Sequence, residues 1–322
     1  MLNEIMDIEL EEQPISNTRK ASDQKVLFAE PNGLSPAAGN SGTGLASISH
    51  EMAAANDAEH LSIANSYVLA AVGDIGFRNN ARIKTISLPN DLKVIPRSFF
   101  YECTNLCTIT IPAEVQVIED YAFYGCKNLK TVRFMKNSNL QKIGDYAFAA
   151  CESLSAISLP EHLGYIGEAA FRCCKSISKV YIENSDSLRY MNKHVFIGNH
   201  AFQHCSALSE FVLPFGLDEV RTGLFFGCSA LLELHIPATV NLVDNYVFQD
   251  CVNLECLFFA SGKTKLMPLS LSGLPKDVHI CLQDGREYTL GSITARLQKQ
   301  KRGETSMAIC TLLGRAAKIW TA

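Results

Sequence analysis

Residues 106–128 read LCTITIPAEVQVIEDYAFYGCKN, a unit of the form LxxIxIPxxVxxIxxxAFxxCxx that starts again at Leu129. Further copies in this frame begin at Ile83, Leu154, Ile177, Leu208 and Leu231. The aromatic position recurs at Phe77, Phe100, Phe123, Phe148, Phe171, Phe202, Phe225 and Phe248, at intervals of 23, 23, 25, 23, 31, 23 and 23 residues. Three residues after the Phe stands a Cys, at Cys103, Cys126, Cys151, Cys174, Cys205, Cys228 and Cys251. A fixed period of this length marks an array of repeated supersecondary units.

Each unit opens with alternation. In Leu106–Ile111, Ile109 and Ile111 point one way and Thr108 and Thr110 the other, as a short strand requires. Pro then ends the strand at Pro89, Pro112, Pro160, Pro214 and Pro237, because it has no N–H for the ladder. The second half, IxxxAFxxCxxL, has the apolar spacing of a short helix. A single unit cannot bury its own apolar face, so neighbours must stack. The fold expected is α/β: a curved leucine-rich-repeat solenoid of 23-residue strand-turn-helix units, with a parallel sheet on the concave face. Helices packed side by side stand about 8–10 Å apart, too far for a disulfide between successive ladder cysteines, which are then small apolar fillers.

Two units break the frame. The one from Leu129 replaces Pro with MKNSN, and the one from Ile177 inserts YMNKHVFI before resuming at Ile197; such insertions fall in loops, where recognition concentrates. Residues 1–60, acidic and rich in Ser, Gly, Asn and Ala, read as a disordered leader. Residues 61–284 form the solenoid with its caps, among them the stretch ending DVHICL. Residues 285–322 form a basic tail in which TLLGRAAKIW is expected to make one amphipathic helix.

Over 322 residues the net charge of −4 gives no global attraction to nucleic acid or an anionic membrane. The acidic start MLNEIMDIELEEQ lacks the order of a secretory signal, which argues for the cytoplasm and leaves localisation open against the surface placement that the resemblance below implies, and no apolar run approaches the roughly 20 residues of a membrane span.

No catalytic or cofactor motif is present. SGKTK at Ser261 resembles a phosphate loop, but Leu257 stands where the first Gly is needed. His194, His200, His204 and Cys205 cluster in sequence, yet their spacing matches no common zinc pattern and Cys205 belongs to the core column. The outward strand positions remain. One column runs Thr85, Thr108, Thr131, Ala156, Lys179, Glu210, Glu233, Cys256; the other runs Ser87, Thr110, Arg133, Ser158, Tyr181, Val212, His235, Phe258. Arg133, Lys179, Tyr181, Glu210, Val212, Glu233, His235 and Phe258 combine aromatic anchors with a polar surround, as a partner-binding patch does. Eight short strands offer on the order of 400 Å². A firm interface takes about 800 Å² per partner, so adjacent loops must contribute.

The Pro after the strand and the return IGxxAFxxC, as in Ile143–Cys151 (IGDYAFAAC) and Ile166–Cys174 (IGEAAFRCC), resemble the BspA-like, Treponema-type leucine-rich repeats. The resemblance implies a protein that binds other proteins, of a family commonly surface-associated and in several members adhesive; the motifs themselves supply no catalytic residue, cofactor or metal. The function expected is a protein–protein interaction module working through the sheet and adjacent loops; the alternative is a passive scaffold whose basic tail binds nucleic acid or an acidic surface.

Overall fold

A computed structural model describes residues 24–27, 59–63, 76–182 and 194–299. Most of the leader, most of the insertion in the Ile177 unit, and the tail beyond Lys299, including TLLGRAAKIW, lie outside the described residues.

The alternating segments form the expected strands. Gln24–Leu27, His60–Ile63, Thr85–Ser87, Thr108–Ile111 and Thr131–Phe134 pair in that order, all parallel. Ala156–Leu159 continues the face and pairs in parallel with Lys179–Ile182, which pairs with Glu210–Phe211. Glu233–Ile236, Cys256–Phe259 and His279–Leu282 follow, again in parallel. Every pairing joins equivalent repeat positions, so Thr108 meets Thr131 and Lys179 meets Glu210. In each strand the inward residues, such as Ile109, Ile157 and Leu234, are buried.

Pro turns the chain: Val115 N–H donates to Pro112 O, Leu163 to Pro160 O and Val240 to Pro237 O. The following pair of residues then makes a second, narrower ladder. Val94–Ile95, Val117–Ile118, Lys142–Ile143, Tyr165–Ile166 and Phe196–Ile197 form one run of it, and Glu219–Val220, Leu242–Val243 and Lys265–Leu266 another. In three units a Gly follows the Ile, at Gly144, Gly167 and Gly198, and there the neighbouring turn passes too close for a side chain. At Gly167 an added Cβ would lie 2.4 Å from Asp145 Oδ1 and 2.6 Å from Asp145 N.

The return segment is not a helix, which corrects the strand-turn-helix reading. Among the described residues the one α-helix is Leu290–Lys299, beyond the repeats. Two residues before and two after the buried Phe take positive φ: Tyr121 (59°) and Gly125 (71°) around Phe123, Tyr146 (55°) and Ala150 (59°) around Phe148, His200 (58°) and His204 (59°) around Phe202. An L-residue helix cannot pass through such positions. Alternate N–H groups instead reach the next unit: Tyr121 to Asp145 O, Phe123 to Ala147 O and Gly125 to Ala149 O. The intervening ones close i→i−3 turns, as Tyr124 N–H to Tyr121 O. The apolar spacing suited a helix, but hydrogen bonding between identical turns satisfies the same groups and keeps the same side chains inside.

The repeat spacing on this side is therefore that of a β ladder. Phe100, Phe123, Phe148, Phe171 and Phe202 stack nearly parallel with centroids 4.9–5.4 Å apart, and all five are fully buried. The helix-packing distance expected between ladder cysteines is thereby corrected as well. They are free, and each thiol donates to a backbone carbonyl of the preceding unit: Cys126 Sγ to Phe100 O (3.1 Å), Cys151 to Phe123 O (3.2 Å) and Cys205 to Phe171 O (3.2 Å). From Phe100 to Phe225 each ladder Phe carbonyl thus accepts its own unit's Cys N–H and the next unit's S–H. The column fills space and also satisfies a buried acceptor.

Both ends depart from the repeat. Asn80, in the first Cys position, turns its Oδ1 to the N–H groups of Arg82 (2.8 Å) and Ile83 (3.0 Å). At the other end Glu287–Thr289 pairs antiparallel with His279–Leu282, and Leu290 and Ile293 of the helix close the core.

Candidate partner-binding face

The register places the sequence-derived columns side by side and lengthens them. His60 and Ser62 precede Thr85 and Ser87; His279 and Cys281 follow Cys256 and Phe258. The solenoid's last parallel strand belongs to the stretch read as a cap, so His279 and Cys281 were missed, although the alternation in VHICL is their signal.

The face is uneven. Thr85, Thr108 and Thr131, with Ser87, Thr110 and Arg133, make a small polar half. Arg133 lies on Thr131–Phe134, two strands from Tyr181, and so at the margin of the patch. Tyr181 (46% exposed) and Val212 (59%) are among the chain's large apolar side chains left in solvent. The His235 and Phe258 rings stack at 4.3 Å, with 10° between their planes. From there a groove of about 400 Å³ opens along the strand ends, lined by Val212, Leu213, Phe215, His235, Phe258 and Cys281 among others. Leu213, Phe215 and Cys281 belong to it without having been singled out from sequence; Leu213 and Phe215 flank the turn Pro, where strand alternation no longer applies.

Charge borders this strip. Lys179 Nζ bonds Glu210 Oε1 at 2.8 Å across neighbouring strands, and that hydrogen bond raises the lysine's pKa. Glu233, next in the column, is exposed and has no ion pair or hydrogen bond among the described residues. Beside it the Cys256 and Cys281 sulfurs lie 3.3 Å apart. Burial first, then the neighbouring thiol, pushes Cys256 up to about 12. In the register Cys256 faces His279 and Cys281 faces Phe258, so the two are diagonal neighbours. Such pairs have Cα atoms about 7–8 Å apart, beyond comfortable disulfide reach.

The other candidates resolve into structure. Cys205 is committed to Phe171 O, His204 packs edge-on to Phe226 at 5.3 Å, and His200 fills the space above Gly223. Burial lowers the His200 pKa, and its Nδ1 has no hydrogen-bond partner among the described residues. Among the described residues no three His, Cys, Asp or Glu side chains converge as a metal site. In SGKTK, Thr264 turns inward and its hydroxyl donates to Val240 O at 2.8 Å, leaving no phosphate cradle. No described helix is long and apolar enough to cross a membrane.

Residues 70–196 and 195–271 match the family described as "BspA type Leucine rich repeat region (6 copies)". The chain belongs to this family. Among solved structures, this BspA-type repeat protein is similar to the leucine-rich repeat protein TpLRR of T. pallidum, with 29% identity and a TM-score of 0.45 over 53% of this chain and 78% of that one. It is also similar to a leucine-rich repeat protein of Bacteroides ovatus, with 23% identity and a TM-score of 0.52 over 70% of this chain and 59% of that one. The second likeness shows the shared fold. No curated protein matches the chain. Leucine-rich-repeat proteins generally mediate protein–protein interactions rather than catalysis.

Proposed function

We propose that this BspA-type repeat protein is a non-catalytic binding module that takes a protein partner on the C-terminal half of its long-strand face, in an adhesive role of the kind its family resemblance implies. Tyr181, Val212, His235 and Phe258 are the apolar anchors; Lys179, Glu210 and Glu233 are the polar surround, and Arg133 lies at the margin. The carrying observation is the groove beside the His235–Phe258 stack, with Tyr181 and Val212 exposed next to it. Apolar anchors beside a pocket and ringed by polar groups are what concentrates binding energy in known interfaces. A stable complex takes about 800 Å² per partner, so the contact would extend from the strands onto the strand ends and the Pro turns.

The test is affinity capture from host and self lysates with the full chain and with its Tyr181→Ala/Phe258→Ala form, thermal unfolding serving as the check on folding. Each anchor is expected to contribute about 1–2 kcal/mol, so the double variant should bind at least tenfold more weakly while still melting cooperatively. A folded double variant that retains its partner rejects the site.

A further inference from the structure

The groove has a second feature bearing on what fills it. Its far wall is Cys281, Leu282 and Gln283, on the strand that pairs with Glu287–Thr289, from which the helix Leu290–Lys299 leads directly. The described chain therefore ends one helix away from the groove. With strands about 4.8 Å apart and a ten-residue helix about 15 Å long, Lys299 lies on the order of 30 Å from the His235–Phe258 stack. The 23 residues 300–322 that follow span up to about 75 Å when extended, more than the return requires.

Their chemistry matches the groove. Residues 315–320 read RAAKIW and hold Trp320, the one Trp in the chain. Glu233 is an exposed carboxylate without a partner among the described residues, two positions before His235 on the same side of its strand. Lys318 stands two positions before Trp320. Docked as an extended segment, with the helix expected of TLLGRAAKIW giving way at its last three residues, Lys318 and Trp320 lie on one side about 6.6–7 Å apart, so the spacing that sets Lys318 on Glu233 also sets Trp320 over His235 and Phe258. A tethered segment experiences an effective concentration near the millimolar range, enough to populate a contact that would be weak between separate molecules.

We infer that the C-terminal segment around Lys318–Trp320 docks in cis on the groove beside His235 and Phe258, and thereby competes with the partner for the same surface. The competition rests on the partner-binding reading above; the docking itself does not.

Because Trp320 is the chain's one Trp, its emission reports the contact directly in the full-length protein. The wild type is expected to show blue-shifted emission and an acrylamide quenching constant at least threefold below that of free N-acetyltryptophanamide. Val212→Asp and Glu233→Lys, both at exposed positions, should each return quenching toward the free value. Lys318→Glu should restore shielding in Glu233→Lys, a rescue that a merely structural effect of either change would not give. Three results overturn the inference: Trp320 already as accessible as the free indole in the wild type; shielding that survives both substitutions; or shielding lost on hundredfold dilution, which would assign the tail to a second copy. Ending the chain after Lys299 preserves the capping strand and should raise captured partner severalfold. Unchanged capture beside an intact fluorescence response refutes the competition alone. A failed capture experiment leaves the fluorescence result standing.

Discussion

Replacing Ala150 by Gly separates a turn ladder from a helix by the sign of its effect. Ala150 has φ 59° and donates its N–H to Arg172 O of the next unit at 2.7 Å. Holding an L-residue in the left-handed region costs roughly 1–2 kcal/mol, which Gly avoids. Gly in turn loses about 0.4–1 kcal/mol through the greater freedom of the unfolded chain. The net expectation is a gain of about 0.5–1 kcal/mol. Were this segment helical, the same change would cost about 1 kcal/mol. Ala149, beside it, is the control: it is buried, lies outside the positive-φ set, and donates its N–H to Tyr146 O within the turn. Ala149→Gly should cost about 1 kcal/mol or more through lost packing and backbone entropy. Urea and thermal unfolding followed by circular dichroism resolve the difference, which amounts to a rise of about 2 °C against a fall of about 3 °C for a solenoid of this size. An Ala150→Gly protein that melts below the wild type by as much as Ala149→Gly does would refute the ladder.

Two further expectations follow from the core. Phe171→Ala removes a fully buried ring stacked at 5.4 Å on Phe148 and 5.3 Å on Phe202, and should cost about 4 kcal/mol by urea titration, a loss under about 1 kcal/mol being incompatible with a continuous ring column. The thiol column makes stability fall with alkali. Burial pushes Cys103 and Cys251 up to about 12, and raises Cys126, Cys151, Cys174, Cys205 and Cys228 in the same direction. An unfolded thiol titrates near 8.5, so each thiol's stabilising share is fully present below about pH 8.5 and is lost as pH rises toward 12, with a limiting slope of about 1.4 kcal/mol per pH unit per thiol. The urea midpoint should drop between pH 7 and 10.5, and Cys126→Ala should flatten the slope by one thiol's share; identical slopes would show that this thiol does not titrate on unfolding.

Legibility in the sequence followed periodicity. Residues that must be buried in every unit, Phe123 and Cys126 and their counterparts, announce themselves because stacking sends the same position to the same place each time. The outward columns were legible for the same reason, and Lys179 does face Glu210. The return segment misled because apolar spacing records which side chains go inward and not where the N–H groups go. A helix and a stack of turns bury IxxxAFxxC alike. The residues with positive φ, Tyr121, Tyr146 and Ala150 among them, are ordinary L-amino acids whose backbone state no side-chain pattern signals.

The amino-acid sequence alone determined the repeat, its parallel register and the composition of both faces, since these depend on covalent spacing and on which side chains leave water. Tertiary structure decided the rest. Whether an N–H bonds within its own turn or to the next unit depends on the neighbour's position, and so does the convergence of Val212, His235, Phe258 and Cys281 on one groove. Those four come from four different strands or their ends, up to 69 residues apart in the chain, and only stacking at strand spacing brings them together.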